Sequence, residues 1–258
     1  MAKQSPFVKR KYKKPTVQEA IFEAKFLYDG FDTALAGQVF ERVKGSFPKK
    51  KNLELITLVL GSADIHTKPH LPPQAPVMQA WKEDDSELVQ VGPGIVAANR
   101  IKYTSWEDFV PAISNITGAY VAVANPRFIT RLGTRYINRF SIPSENVNIS
   151  EYFNLGMAIP ATFNNLQGFD LTFSNKLRSA SGVDASEFEV RTKFTTDSLR
   201  SGETGTRFIL DIDCYCQREI SPDLDIVKRL ATEAHDTLEL IFESLLTDKT
   251  RQLMEVEK

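Results

Sequence analysis

The stretch FITRLGTRYINRFSI, residues 128–142, sets the reading of this chain. It carries Arg131, Arg135 and Arg139, with Arg127 just ahead, and Ile129, Gly133 and Ile137 fall between them. Successive side chains of a strand point to opposite faces, so these odd positions share one face. Each step of four residues covers about 13 Å. Arginine is the side chain suited to planar, two-pronged capture of phosphate or carboxylate. A row of arginines on a long strand is therefore an anion-binding surface or one half of an ion-pair ladder. Asp211 and Asp213, or Glu187 and Glu189, supply the other half in the second case. The formal net charge of −1 favours the ladder.

Alternation continues on both sides of that strand. Ala20, Phe22, Ala24, Phe26 and Tyr28 fall on one face of a strand that starts at Val17. Asp32 is placed to cap a short helix over residues 32–44, stopped by Gly45 and Pro48. Leu53–Leu60 reads as a second strand, and the prolines of residues 61–76 as a stiff connecting loop. Val77–Lys82 and Leu88–Val91 pair around the acidic turn Glu83-Asp84-Asp85-Ser86. Gly92-Pro93-Gly94 turns into a further strand, Ile95–Tyr103. Ser105, with Asp108 three residues later, opens a helix over 105–124. The second half repeats the order, strands first and helix last. After residues 128–142 come Phe169–Leu177, Phe188–Thr196 and Thr206–Arg218. A helix over 223–246 follows, with Val227, Leu230, Ala231, Ala234, Leu238, Ile241, Phe242 and Leu245 at a 3.6-residue period. Strands clustered apart from helices predict an α+β fold: an antiparallel sheet with long helices packed on one face, in a single domain over 16–258.

Composition bounds the rest. Hydrophobic residues make up 42 % of the 258 and charged ones 25 %, which excludes a wholly disordered chain. No apolar run approaches the roughly 18 residues of a membrane span. Two cysteines are no disulfide scaffold, so a cytoplasmic protein is expected. Residues 1–15 hold Lys3, Lys9, Arg10, Lys11, Lys13 and Lys14 and no acid, and are expected to form a disordered basic arm. Seventeen Phe and 2 Trp exceed the needs of one modest core and point to a homo-oligomer, a dimer foremost.

The familiar catalytic motifs are missing: the sequence has no phosphate-binding loop, no nucleophile elbow and no H-E-x-x-H. Cys214 and Cys216 share a strand face with Leu210 and Ile212 and read as core thiols. With no second cysteine pair, no metal site is assigned to them. Asp211 and Asp213 occupy the opposite face, where an Asp-x-Asp pair could hold Mg²⁺ with a phosphate. His235 lies beside the apolar stripe of the last helix with Glu239 one turn on. It is either a general base or a histidine bonded to that turn or to the sheet. His66 and His70 sit in the proline-rich loop. No cofactor is expected.

Several pieces together resemble a sporadically distributed family of uncharacterised bacterial proteins of about 250 residues. They are Glu19-Ala20-Ile21-Phe22-Glu23, Gln90-Val91-Gly92-Pro93 with Asn99, Tyr103, Trp106 and Phe109, and Gly133-Thr134-Arg135-Tyr136-Ile137-Asn138-Arg139. Ala234-His235-Asp236, Phe242-Glu243 and Leu246-Thr247 close the set. The resemblance runs from Val17 to about Met254 and implies no activity. It implies a setting in mobile or phage-defence loci. The expected function is a non-catalytic binding or regulatory protein, an accessory of a bacterial phage-defence or toxin–antitoxin locus. Its partner is another protein or a nucleic acid, not a membrane. The alternative is a metal-assisted phosphate-ester hydrolase: Arg131, Arg135 and Arg139 clamp the oxyanion, Asp211 and Asp213 hold metal, and His235 is the base.

Overall fold

The computed structural model describes residues 10–27, 34–53, 75–156, 168–178, 187–199 and 204–257. They form a mixed α/β fold around a nine-stranded antiparallel sheet. The strands are β1 (Val17–Phe26), β2 (Lys49–Asn52), β3 (Met78–Trp81), β4 (Glu87–Gly92), β5 (Ile95–Arg100), β6 (Ile129–Ile142), β7 (Asp170–Arg178), β8 (Glu187–Asp197) and β9 (Thr206–Cys216). The helices are α1 (Leu35–Val43), α2 (Trp106–Ala124), α3 (Ile149–Tyr152), α4 (Leu224–Leu245) and α5 (Asp248–Met254). The strand order is β2-β3-β4-β5-β1-β6-β9-β8-β7. Among the described residues, no helix is long and apolar enough to cross a membrane.

The chain divides into two compact units. One holds Glu19–Thr134 and Tyr215–Thr232; the other holds Met1–Gln18, Arg135–Cys214 and Glu233–Lys258. In the first unit, Ala20, Phe22, Ala24 and Phe26 are fully buried, as their alternation requires. Helix α2 begins where Ser105 Oγ accepts from the Asp108 amide at 3.2 Å, and it ends at Asn125 in a left-handed cap. Its Phe109, Ile113, Ile116 and Tyr120 are buried. The Tyr120 ring stacks on Phe26 at 4.6 Å, and its hydroxyl accepts from the Gly94 amide at 2.9 Å. The apolar body and the polar tip of this tyrosine are thus both satisfied. Glu87, buried in β4, pairs with Lys82 and Arg100 at 2.9 Å each. Arg100 reaches on to the Asp108 carbonyl at 2.7 Å, which ties the β4–β5 hairpin to the start of α2.

In the second unit, Phe140, Phe153, Phe194 and Phe208 are buried, and Phe169 and Phe242 pack at the edge of the same cluster. Phe194 and Phe208 stack at 5.3 Å, and Phe140 meets Phe153 edge-on at 5.1 Å. Six of the phenylalanines that the composition offered to a subunit interface therefore sit in or against one internal cluster.

Residues 11–14 and 254–257 meet in this unit. Lys13 and Lys14 amides donate to the Glu255 and Met254 carbonyls, and the Glu257 amide donates to the Lys11 carbonyl. Glu243 of α4 receives Tyr12 Oη at 2.6 Å, Arg10 at 3.1 Å and Arg251 at 3.2 Å. Of the basic arm, residues 10–15 are thus held in place, and residues 1–9 lie outside the described residues.

Several expected boundaries move. The first helix starts at Leu35, not residue 32; its N-cap is Ala34 with no side-chain bond, and Asp32 lies outside the described residues. The second strand is Lys49–Asn52, ahead of the apolar run; Leu53 keeps one backbone bond to Val77, and residues 54–60 are outside the description. Helices α3 and α5 were not anticipated. The strand and helix expectations at β3 to β9, α2 and α4 agree with the structure to within a few residues.

Candidate functional site

Strand β6 sorts its side chains by parity. Leu132, Thr134, Tyr136, Asn138 and Phe140 are buried on one face, while Arg131, Arg135 and Arg139 occupy the other, partly open to solvent. Each of the three arginines meets a carboxylate. Arg131 Nη1 donates to Glu23 Oε1 at 2.7 Å, and its guanidinium lies 4.1 Å from the centre of the Tyr215 ring. Arg135 grips Asp211 with two prongs, Nε to Oδ1 at 2.7 Å and Nη2 to Oδ2 at 2.5 Å. Arg139 Nε stands 2.8 Å from Asp197 Oδ2, which also faces Arg207 at 3.5 Å. Arg127 falls outside β6, exposed, its guanidinium 5.7 Å from the Phe128 ring centre.

This is the ladder arrangement, with a partner set only partly foreseen. Asp211 was among the acids named from sequence; Glu23 and Asp197 were not. Glu187 and Glu189 pair instead with Arg178 and Lys176 of β7. Asp213 is half-buried on the same face as Asp211.

His235 faces the other way. Its ring lies in the apolar layer, with Nδ1 2.7 Å from the Tyr136 hydroxyl and Nε2 3.5 Å from Glu239 Oε1. Tyr136 follows Arg135 directly, so the residue gripping Asp211 and the residue holding His235 project from opposite faces of β6. The structure does not bring His235 together with Asp211. The ring bonds to the sheet through Tyr136 and approaches Glu239 of its own helix, the contacts expected of a histidine bonded to the turn or to the sheet. His235, Asp236 and Glu239 offer ligand atoms within 4.8 Å of one another, the group among the described residues that could hold a metal ion. His66 and His70 lie outside the described residues.

Cys214 and Cys216 are buried thiols on β9, and Cys216 Sγ approaches the Leu132 carbonyl at 3.6 Å. Leu210 and Ile212 are buried on the same face, as alternation predicted.

A second polar feature was not read from sequence. Trp81 Nε1 donates to Gln79 Oε1 at 3.2 Å, and Gln79 Nε2 donates to Gln90 Oε1 at 3.2 Å. Gln90 Nε2 then donates to Asn99 Oδ1 at 2.9 Å, and Asn99 Nδ2 to Glu19 Oε1 at 2.8 Å. The row crosses β3, β4, β5 and β1. Gln79 stands opposite Gln90 in the β3–β4 register, a cross-strand pair that a strand alignment would have exposed.

Comparison of the sequence with models of protein families and with curated proteins finds no match to either.

Proposed function

We propose that the protein is a non-catalytic binding protein of the bacterial cytoplasm whose partner is another protein. One observation carries this reading: Arg131, Arg135 and Arg139, the groups a phosphate clamp would need, are each engaged by a carboxylate from the same sheet face. An incoming phosphate must displace those carboxylates and leave their negative charges beside its own, so the face repels a polyanion. Paired side chains of opposite charge suit the mixed polar surface of a protein. The resemblance to a sporadically distributed bacterial family supports a role as an accessory in a phage-defence or toxin–antitoxin locus. One domain over 16–258 with its helices on one sheet face is part of the same proposal. It is supported by β6, β9 and α4, each of which has residues in both compact units.

The test is purification from the native host with nuclease treatment, identifying copurifying proteins and nucleic acid together, beside titrations with duplex DNA and RNA over a salt series. A stoichiometric protein that survives nuclease, with no salt-dependent nucleic-acid binding, is the expected result. Phosphate-ester hydrolysis that disappears in Arg135→Ala, or binding to DNA that weakens steeply with salt, overturns the reading.

A further inference from the structure

Strand β7 is the last strand in the sheet order, and among the described residues nothing pairs with its outer edge. It is nine residues long, and residues 174–178 are all exposed. Such an edge offers a row of unpaired backbone groups to any incoming strand. Proteins usually blunt an edge of this length with prolines, bulges or charges; DLTFSNKLR contains no proline, and its charged residues, Asp170, Lys176 and Arg178, are of both signs.

The sequence of β7 is complementary to itself. Laid antiparallel against a second copy about a two-fold axis through Ser174, each residue meets one whose number completes the same sum. Asp170 faces Arg178 of the second copy, Leu171 faces Leu177, Thr172 faces Lys176 and Phe173 faces Asn175. A two-fold axis makes every such pair occur twice. The apolar members fall on one face: Leu171 and Leu177 stand opposite Phe194 and Phe188 in the β7–β8 register, on the side of the phenylalanine cluster. Leu177 is 37 % exposed, one of the few large apolar side chains left open.

Charge alternates along the same line. Within one chain Lys193 pairs with Asp170 at 2.6 Å, and Glu187 pairs with Arg178 at 3.5 Å. Bringing Asp170 against Arg178 of the second copy joins these pairs into a row of alternating sign: Lys193, Asp170, then Arg178 and Glu187 of the second copy. Parallel pairing would place Asp170 on Asp170 and Arg178 on Arg178, which like-charge repulsion disfavours.

We propose that β7 is the subunit interface of a homodimer, formed by antiparallel pairing of β7 with β7 in the register centred on Ser174. The sheet of one subunit then continues into that of the other. This interface is separate from the β6 face discussed above.

The test uses the full chain with single cysteines introduced on the exposed side of β7. Opposed Cα atoms in an antiparallel pair are about 4.5–5.5 Å apart, inside the roughly 4.4–6.8 Å that a disulfide spans. Ser174→Cys should therefore form a disulfide-linked dimer under mild oxidation. Thr172→Cys, about 13 Å from its own symmetry mate, should not. The native thiols, Cys214 and Cys216, are buried and should contribute nothing to the cross-link. Light scattering of the unmodified protein should give twice 29.1 kDa. Arg178→Asp should raise the dimer dissociation constant about tenfold, and D170R added to it should restore dimerisation although neither internal pair of β7 with β8 is restored. A mass of 29.1 kDa at high micromolar concentration overturns the proposal. So does equal cross-linking of Ser174→Cys and Thr172→Cys, or a double charge swap that stays monomeric.

Discussion

Arg135 and Asp211, 76 residues apart in sequence, form a two-pronged ion pair across adjacent strands of the sheet, with both prongs at 2.7 Å or less. Asp211 is more enclosed than its partner: its side chain is 13 % exposed, against 44 % for Arg135. The pair fixes the lateral alignment of β6 and β9 on the open face, opposite the packed one.

Removing the arginine should cost little. Arg135→Ala is expected to lower stability by about 1 kcal/mol, the upper end for a pair with a solvent-open member. Urea unfolding followed by circular dichroism measures this. Nucleic-acid titrations should be identical to wild type. A loss above about 3 kcal/mol would mean that Asp211 is stranded in a far drier site than its exposure indicates.

Glu87 is the opposite case. Its carboxylate is 2 % exposed and bonds both Lys82 and Arg100, and Arg100 is itself mostly enclosed. Glu87→Ala leaves that guanidinium without its counter-charge and should cost about 3–5 kcal/mol in the same experiment. A change under about 1 kcal/mol would show that the hairpin and the start of α2 are not tied through Arg100.

Ser105 gives a smaller, local effect. Its hydroxyl satisfies one of the amide donors left open at the start of α2. Ser105→Ala should lower stability by about 1 kcal/mol, and Ser105→Asp should retain most of it.

Tyr12 makes stability depend on alkaline pH. Burial first, and then the hydrogen bond to Glu243, hold its hydroxyl above the ordinary value of 10.0. A group whose folded value is raised contributes fully below its unfolded value and loses that contribution as pH climbs past it. Urea midpoints of the wild type should therefore fall more steeply above about pH 10 than those of Tyr12→Phe. Equal slopes would show that the N-terminal segment has left Glu243 before the phenol titrates.

Much of the fold was legible because burial leaves a period behind. Ala20, Phe22, Ala24 and Phe26 face the core of their unit, and Val227, Leu230, Ala231, Ala234 and Leu238 bury one side of α4. Where no side of an element is buried, no period exists. Lys49–Asn52 is exposed at every position, so β2 leaves no pattern in the sequence; residues 54–60 of the strand expected at Leu53–Leu60 lie outside the described residues. Helix α5 carried only a local sign: Thr247 accepts from the Thr250 amide, a cap with too short a helix behind it to show a stripe. At the site, the arginine row followed from alternation, but its partners depend on which strands become neighbours. Glu23 lies 108 residues from Arg131, a separation no local pattern encodes. The separation of His235 from Asp211 is legible in the sequence. The histidine borders a stripe destined for the apolar layer, whereas Asp211 alternates with Ile212 and Cys214 and must face away from it.

The row from Trp81 to Glu19 has a direction. Every link donates toward β1, and the last acceptor is a carboxylate, which has no proton to give back when ionised. No amide in the row can turn over alone, because a half-turn would set hydrogen against hydrogen on one side and oxygen against oxygen on the other. The line is fixed at both ends: Trp81 Nε1–H can only donate to Gln79, and ionised Glu19 can only accept from Asn99, so Gln79, Gln90 and Asn99 are held in one setting. Glu19→Gln would therefore leave the direction of the line unchanged, because the Trp81 N–H alone still sets it across four strands.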